Sequence, residues 1–296
     1  MKTIAIIGQS ASGKSELAHA LARKHGAALL SMDSLGVYRH IEIASAKPTA
    51  QERAGLTYFG IDLAEPSERF GVDDFALEYL RAREFCLRRD RDLIIVGGSS
   101  FYLKALLDGL SPLPPITQAV KNMCAQLLER LPIAYDRLCA IDSVYAAKIK
   151  PADRYRIEKA LLIAFGSNMK PSEWFALNPP KPIASDIAIV YPQIPLEMLR
   201  EKIAIRTQNM LRRGLIDETR NLLNIAPLGQ PIKAIGIAET VMHLENKIDL
   251  AELEKLINIH TAQLAKRQRT FNNAQFRNVL TVDYRVAFER VQQLLD

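Results

Sequence analysis

Residues 8–15 read GQSASGKS and follow the apolar run IAII. Gly8, Gly13, Lys14 and Ser15 satisfy the spacing GxxxxGK[ST]. That pattern suits the holding of an anion. Small residues let successive backbone N–H groups curl round phosphate oxygens, and a following helix adds the partial positive charge of its N-terminus. Lys14 supplies a full charge, the Ser15 hydroxyl can ligate Mg²⁺, and Gln9, Ser10, Ala11 and Ser12 complete the loop. The alternative is a glycine-rich turn that holds nothing. An NTPase of this class usually has a second strand ending in an Asp that helps to hold the metal. Here the strand-like DLIIVGGSS ends without a carboxylate, which argues against ordinary ATP or GTP hydrolysis. The acid instead sits at Asp33, at the end of AALLSMD. Taken alone, Asp33 reads first as a helix cap or turn residue; it gains weight as a functional group by sharing a rim with Lys14 and Ser99.

The elements that must position these residues alternate. TIAII (3–7) is a buried strand, SELAHALARKH (15–25) a helix with Leu17, Ala18 and Leu21 on one face, and AALLSMD (27–33) a second strand. DDFALEYLRAREFCLRRD (73–90) is an amphipathic helix starting at an Asp able to cap it, and DLIIVGGSS (92–100) is a third strand. FYLKALLDG is helical, with Gly109 as its stop. This order implies an α/β fold, a P-loop NTPase-like parallel sheet flanked by helices. On such a sheet Asp33 and Ser99 face the same ligand crevice as Lys14. Prolines at SPLPP (111–115) and NPPKP (178–182) bracket helical patterns, predicting a helical insertion over 113–182 between a core of 1–112 and its completion over 183–296. DIAIVYPQI (186–194) reads as another strand, a long helix follows from Leu196 to Arg213, and helical patterns continue to the end.

Composition is that of a soluble protein: 48% hydrophobic and 24% charged residues, with a formal net charge of +6. No stretch approaches the roughly 20 apolar residues of a membrane span, and Ile4–Ile7 is too short for a secretory signal, so the expected home is the cytoplasm. Cys86, Cys124 and Cys139 lie far apart, expected reduced and buried rather than paired or zinc-bound. The segment 113–182 holds 10 Lys and Arg against 6 Asp and Glu, the largest basic surplus of the three segments. That balance suits a polyanion or a plain solvated face.

Several further stretches keep one order: DSLGVYR (33–39), ASAKPT (44–49), VGGSSFYLKALLDGLSPLPP (96–115) and AKRQRTF (265–271). With GQSASGKS they resemble the tRNA dimethylallyltransferases, the isopentenyl transferases whose segments run GPTASGKT, DSxxVYR, GTAKPT, VGGTGLYLKALLxGLxPLPP and AKRQxTWF. The resemblance implies that the loop, Gly8 to Ser15, binds the diphosphate of dimethylallyl diphosphate, with Mg²⁺ on Ser15. Diphosphate is then a leaving group, and no water has to be activated for attack on phosphorus.

By the same resemblance Asp33 is the general base toward an adenine amine in tRNA. A carboxylate is a weak base near neutral pH, so it takes the proton once the amine has begun to bond to carbon. Ser99 stands where the family has Thr, and Arg206, in IRTQNML, aligns with an arginine that pairs with the diphosphate. The acceptor base is flipped into a channel lined by Asp33, Ser34, Leu35 and Gly36. Lys121, Tyr155, Arg156, Ile157, Glu158 and Lys159 in the insertion, and Lys266, Arg267 and Gln268 near the C-terminus, fall on tRNA-contact segments. The sequence departs from the family at Gln9-Ser10 (Pro-Thr), Ala44-Ser45 (Gly-Thr), Ser99-Ser100 (Thr-Gly) and Tyr155 (Gln). It departs also at GLTYFGID, which lacks paired histidines, at GIAET, which lacks Tyr-Lys, and at NNAQF, which lacks Trp and arginines. The expectation is a monomeric tRNA-modifying enzyme with no obligate protein partner. The alternatives are prenylation of free AMP or ADP, a P-loop small-molecule kinase, and a non-catalytic nucleic-acid-binding module.

Overall fold

The structure, a computed structural model, describes residues 1–225 and 228–296. In chain order these form β1 (Thr3–Ile7), α1 (Lys14–His25), β2 (Ala28–Ser31), α2 (Ala50–Arg53), β3 (Tyr58–Phe59), α3 (Val72–Arg89), β4 (Leu93–Gly97) and α4 (Ser100–Asp108). Five helices follow: α5 (Gln118–Glu129), α6 (Leu131–Ile141), α7 (Ser143–Ala146), α8 (Arg154–Ser167) and α9 (Pro171–Leu177). Then come β5 (Ala188–Gln193), α10 (Leu196–Arg212), α11 (Leu215–Ile225), a 3₁₀ turn at Gln230–Lys233, α12 (Ile237–Leu244), α13 (Leu250–Gln275), β6 (Val279–Asp283) and α14 (Ala287–Leu295).

Two compact units result, Met1–Leu107 with Ala184–Asp296, and Asp108–Ile183. The first is built on a six-stranded sheet in the order β3-β2-β4-β1-β5-β6 with every neighbouring pair parallel. Strands buried on both faces read as unbroken apolar runs. β1 and β4 are such runs, with all five residues of each buried. Ile4, Ile6, Leu29, Ile94, Val96 and Val190 pack under Ala18 and Leu21 of α1 and Val291 of α14. The second unit is helical throughout its regular elements. Its core joins Cys124 and Leu128 of α5, Leu138 of α6 and Ile157, Ala160 and Leu161 of α8.

Three expectations need correction, and one short strand, β3, had no expectation at all. β6 was missed, because an edge strand with only Val282 buried shows no apolar run. β3 has only two residues, too short to leave a periodic signal. The cap of α3 is not the leading Asp: Gly71 holds the N-cap position, and its N–H donates to Asp74 Oδ2 at 2.8 Å. Of the three free cysteines Cys86 and Cys124 are buried, their thiols pushed up to about 11 by desolvation, while Cys139 is only half-buried. Among the described residues no helix is long and apolar enough to cross a membrane.

Candidate phosphate and acceptor site

Parallel strands deliver their following loops to one edge of the sheet. The loop after β1 carries GQSASGKS, the turn after β2 carries Asp33, and Ser99 follows β4. Hydrogen bonds lock the last two together. Met32 N–H donates to Val96 O at 2.7 Å, Ser99 N–H donates to Met32 O at 3.1 Å, and Ser34 N–H donates to Ser99 Oγ at 3.1 Å. Only glycine fits at position 97, where a Cβ would lie 2.0 Å from the Met32 carbonyl oxygen.

The phosphate loop is held by its own backbone and by distant side chains. Ser12 N–H and Lys14 Nζ both donate to Gln9 O, at 3.2 and 3.0 Å. Ala11 and Gly13 sit at φ 65° and 85°. For Ala11 this left-handed conformation costs roughly 1 kcal/mol, a strain the fold must hold in place. Gln9 does not point at a ligand: its side chain is buried, with Nε2 donating to the Tyr191 hydroxyl of β5 at 2.7 Å. Ser10 N–H is likewise taken, donating to Gln268 Oε1 at 2.8 Å. Ser12 Oγ is buried without a partner. The loop donors open to an anion then include the N–H groups at the start of α1, from Lys14 and Ser15, which have no intrahelical acceptor. Ser15 is exposed there.

Two cavities flank this region. One, of about 630 Å³, is lined by Asp33, Ser34, Leu35, Ser99, Arg267 and Gln268 among others. The other, of about 480 Å³, is lined by Ser12, Gly13, Lys14, Ser15 and Lys47. Arg206 and Met210 of α10 line both. Lys14 is held down to about 8, chiefly by burial, with Arg206 adding to the effect and Asp33 opposing it. Burial also lowers Arg206, against the pull of Asp33. An anionic ligand arriving at Lys14 would relieve that cost.

On α10 the sequence pointed to Arg206 alone, not to the face around it. Lys202, Arg206, Asn209 and Arg213 all line the loop-side cavity, and their spacing of four, three and four residues puts them on a single helical stripe. Lys47, from AKPT, was also missed as a builder of the site. Its buried ammonium donates to Tyr38 O at 2.9 Å and pairs with Glu42 Oε1 at 2.9 Å and with Asp62. The stretch before it is pinned by Glu218 of α11, whose carboxylate accepts the N–H groups of Glu42, Ile43 and Ala44 at 2.8, 2.7 and 2.9 Å.

Of the proposed RNA-contact residues, Ser34, Lys266 and Arg267 are exposed, Leu35 is half-buried and Gly36 is buried. In the helical unit Lys121, Tyr155 and Arg156 are exposed and Glu158 and Lys159 half-buried. Arg156 pairs with Asp153, the N-cap of α8, and Lys159 Nζ lies 5.8 Å from the centre of the Tyr155 ring. Ile157 is a core residue instead, fully buried at 0% exposure, so its side chain packs and cannot reach RNA.

A buried β1, a small-residue loop closing on Lys14 and a helix starting at that lysine define an α/β protein of the P-loop phosphate-binding class. A family model described as IPP transferase matches residues 36–275, so the chain belongs to the IPP transferase family. It is 44% identical over 277 residues, 93% of each chain, to the tRNA dimethylallyltransferase of Sulfurimonas denitrificans. Among solved structures, a eukaryotic dimethylallyltransferase acting on tRNA is similar with a TM-score of 0.83 at 25% identity, covering 99% of this chain and 77% of that one. The tRNA isopentenylpyrophosphate transferase of Bacillus halodurans gives a TM-score of 0.71 at 26% identity, covering 99% and 95%.

Proposed function

We propose that this chain transfers a dimethylallyl group from dimethylallyl diphosphate to the exocyclic amine, N6, of the adenosine 3′ of the anticodon in tRNA. Family membership supports the reaction class. The observation that carries the reading is the pair of cavities meeting at Arg206 and Met210, with Lys14 in one and Asp33 in the other. A donor and an acceptor approaching from opposite sides need such an arrangement.

In the reaction the allylic C–O bond breaks, its electron pair leaves with diphosphate, and N6 forms the new C–N bond. Charge grows on the departing oxygens. Lys14, the first N–H groups of α1 and Arg206 are the donors that meet it. Asp33 takes the proton that N6 loses. Ser99, through its bond to Ser34 N–H, fixes the turn in which Asp33 stands.

Mg²⁺ binds through substrate phosphates, water and one or two protein oxygens rather than through a full protein cage. The residues present fit that habit: the exposed Ser15 hydroxyl lies at the loop, and no group of three His, Cys, Asp or Glu among the described residues forms a dedicated metal site. Ser15 would be the protein ligand of such a Mg²⁺, which would supply positive charge against the diphosphate. A tRNA acceptor makes the cytoplasm the expected workplace.

A small-molecule kinase is disfavoured, because β4 ends in Gly97 with no acid to orient a metal for phosphoryl transfer. The test supplies labelled dimethylallyl diphosphate with either unmodified tRNA or AMP, and follows ATP consumption in parallel. Label appearing in tRNA alone is the expected result. Label in AMP alone would replace the acceptor, and ATP-dependent phosphorylation without prenyl transfer would sink the proposal.

A further inference from the structure

Gln268 belongs to the stretch AKRQ, whose Lys266 and Arg267 are exposed on α13. Its own amide points elsewhere. Oε1 accepts the Ser10 N–H at 2.8 Å, and Nε2 donates to Gly98 O at 3.1 Å. One side chain thus bridges the phosphate loop after β1 and the turn after β4, from a helix 258 residues further along the chain. The fit is close enough to dictate a neighbour: a Cβ at Gly98 would lie 2.4 Å from Gln268 Nε2. Both polar ends of the amide are occupied by backbone. Behind the loop, Gln9 Nε2 is anchored on Tyr191, so the strained segment containing Ala11 is held from two sides.

We propose that Gln268 is a positioning residue: it sets the shape of the phosphate loop for the donor diphosphate and ties that loop to the helix carrying the acceptor-side cations. With one N–H and one lone pair committed to backbone, the orientation of the amide is set by the loop and the turn it joins. Both Arg267 and Gln268 line the cavity that holds Asp33, but it is the exposed Arg267 that can meet the acceptor, while Gln268 holds the donor loop. This rests on the transferase reading above, yet it makes a claim that needs no turnover.

The test compares the wild-type chain with Gln268→Met, which keeps the length and loses both bonds. Gly98→Ala is a second variant that displaces the amide without removing it. Amide hydrogen exchange at Ser10 is expected to quicken at least tenfold in both, with the melting temperature lowered by only a few degrees. Affinity for inorganic diphosphate and the KM for dimethylallyl diphosphate should each weaken about tenfold, the scale of one lost hydrogen bond. The kcat should stay within about threefold and tRNA affinity within about twofold. The double variant should be no worse than either single one. Unchanged Ser10 exchange would overturn the proposal, as would lost tRNA affinity with diphosphate binding intact, since Gln268 would then be an RNA contact. A wild-type chain that binds no diphosphate would instead overturn the transferase reading, and Ser10 exchange would still decide the role of Gln268.

Discussion

Asp33 Oδ1 accepts the Leu35 N–H at 2.8 Å, and the same oxygen accepts from Gly36 at 3.1 Å. Half of the carboxylate therefore builds the turn after β2, and the other oxygen is left for chemistry. The turn-residue reading holds for Oδ1, and the base reading concerns the other oxygen. They can be separated by Asp33→Asn, whose carbonyl oxygen preserves the turn but takes no proton. The variant should melt as the wild type does and bind both substrates, while kcat falls by about 10² to 10⁴, the usual contribution of a general base. Asp33→Ala should lose turnover and some stability together. Near-normal turnover in the Asn variant, measured with saturating substrates, would leave Asp33 a turn residue only.

Arg206 lines both cavities and stands in the field of Asp33. Its planar fork can pair with two diphosphate oxygens, which a lysine cannot reproduce. Arg206→Lys is expected to raise the KM for dimethylallyl diphosphate about tenfold or more, with a smaller effect on the KM for tRNA. Steady-state kinetics with each substrate varied in turn checks this. Equal changes in both constants would place the arginine at the junction without a preference for the diphosphate.

Lys14 titrates near 8 in the free protein because burial disfavours its charge. A bound diphosphate favours the charged form, so its pKa rises in the complex. Binding then takes up protons between the free and bound values, and affinity falls as pH climbs through 8. At pH 8, where Lys14 is half-charged, about half a proton should be taken up with each diphosphate. Calorimetry in buffers of different ionisation enthalpy reads that number directly. Lys14→Arg, charged throughout, should abolish the uptake, and an unchanged uptake in that variant would assign the proton to another group.

Strands buried on both faces were legible because nothing but an apolar run fits there, and β1 lies where TIAII predicts it. The phosphate loop was legible for a similar reason: its chemistry demands small residues at fixed spacing. The edge strand β6 was not, since Thr281 and Asp283 are exposed and only one residue of five is buried. Contacts closed by the fold were also out of reach. Nothing local to Gln9 points to Tyr191, and Gln268 gives no sign that it reaches Ser10 across 258 residues. The cationic stripe on α10 was within reach, because Lys202, Arg206, Asn209 and Arg213 carry it in their spacing. Opposite it, Lys47 and Glu218 act only through partners that the fold brings to them.

Glu218 offers the clearest test of that supporting structure. Its two carboxylate oxygens accept three consecutive N–H groups, from Glu42, Ile43 and Ala44. Those residues lead directly into Lys47, which borders the loop-side cavity. Bonds to a charged acceptor contribute more than neutral ones, and water can replace part of what is lost at a half-buried position, so Glu218→Ala should cost about 2 to 4 kcal/mol of stability. Glu218→Gln keeps one acceptor oxygen and should cost about half as much. Urea unfolding measures both. Because the pinned segment reaches the cavity, the Ala variant should also raise the KM for dimethylallyl diphosphate severalfold at temperatures where it remains folded. A destabilised variant with an unchanged KM would confine Glu218 to stability and free the 42–47 segment from any part in holding the donor.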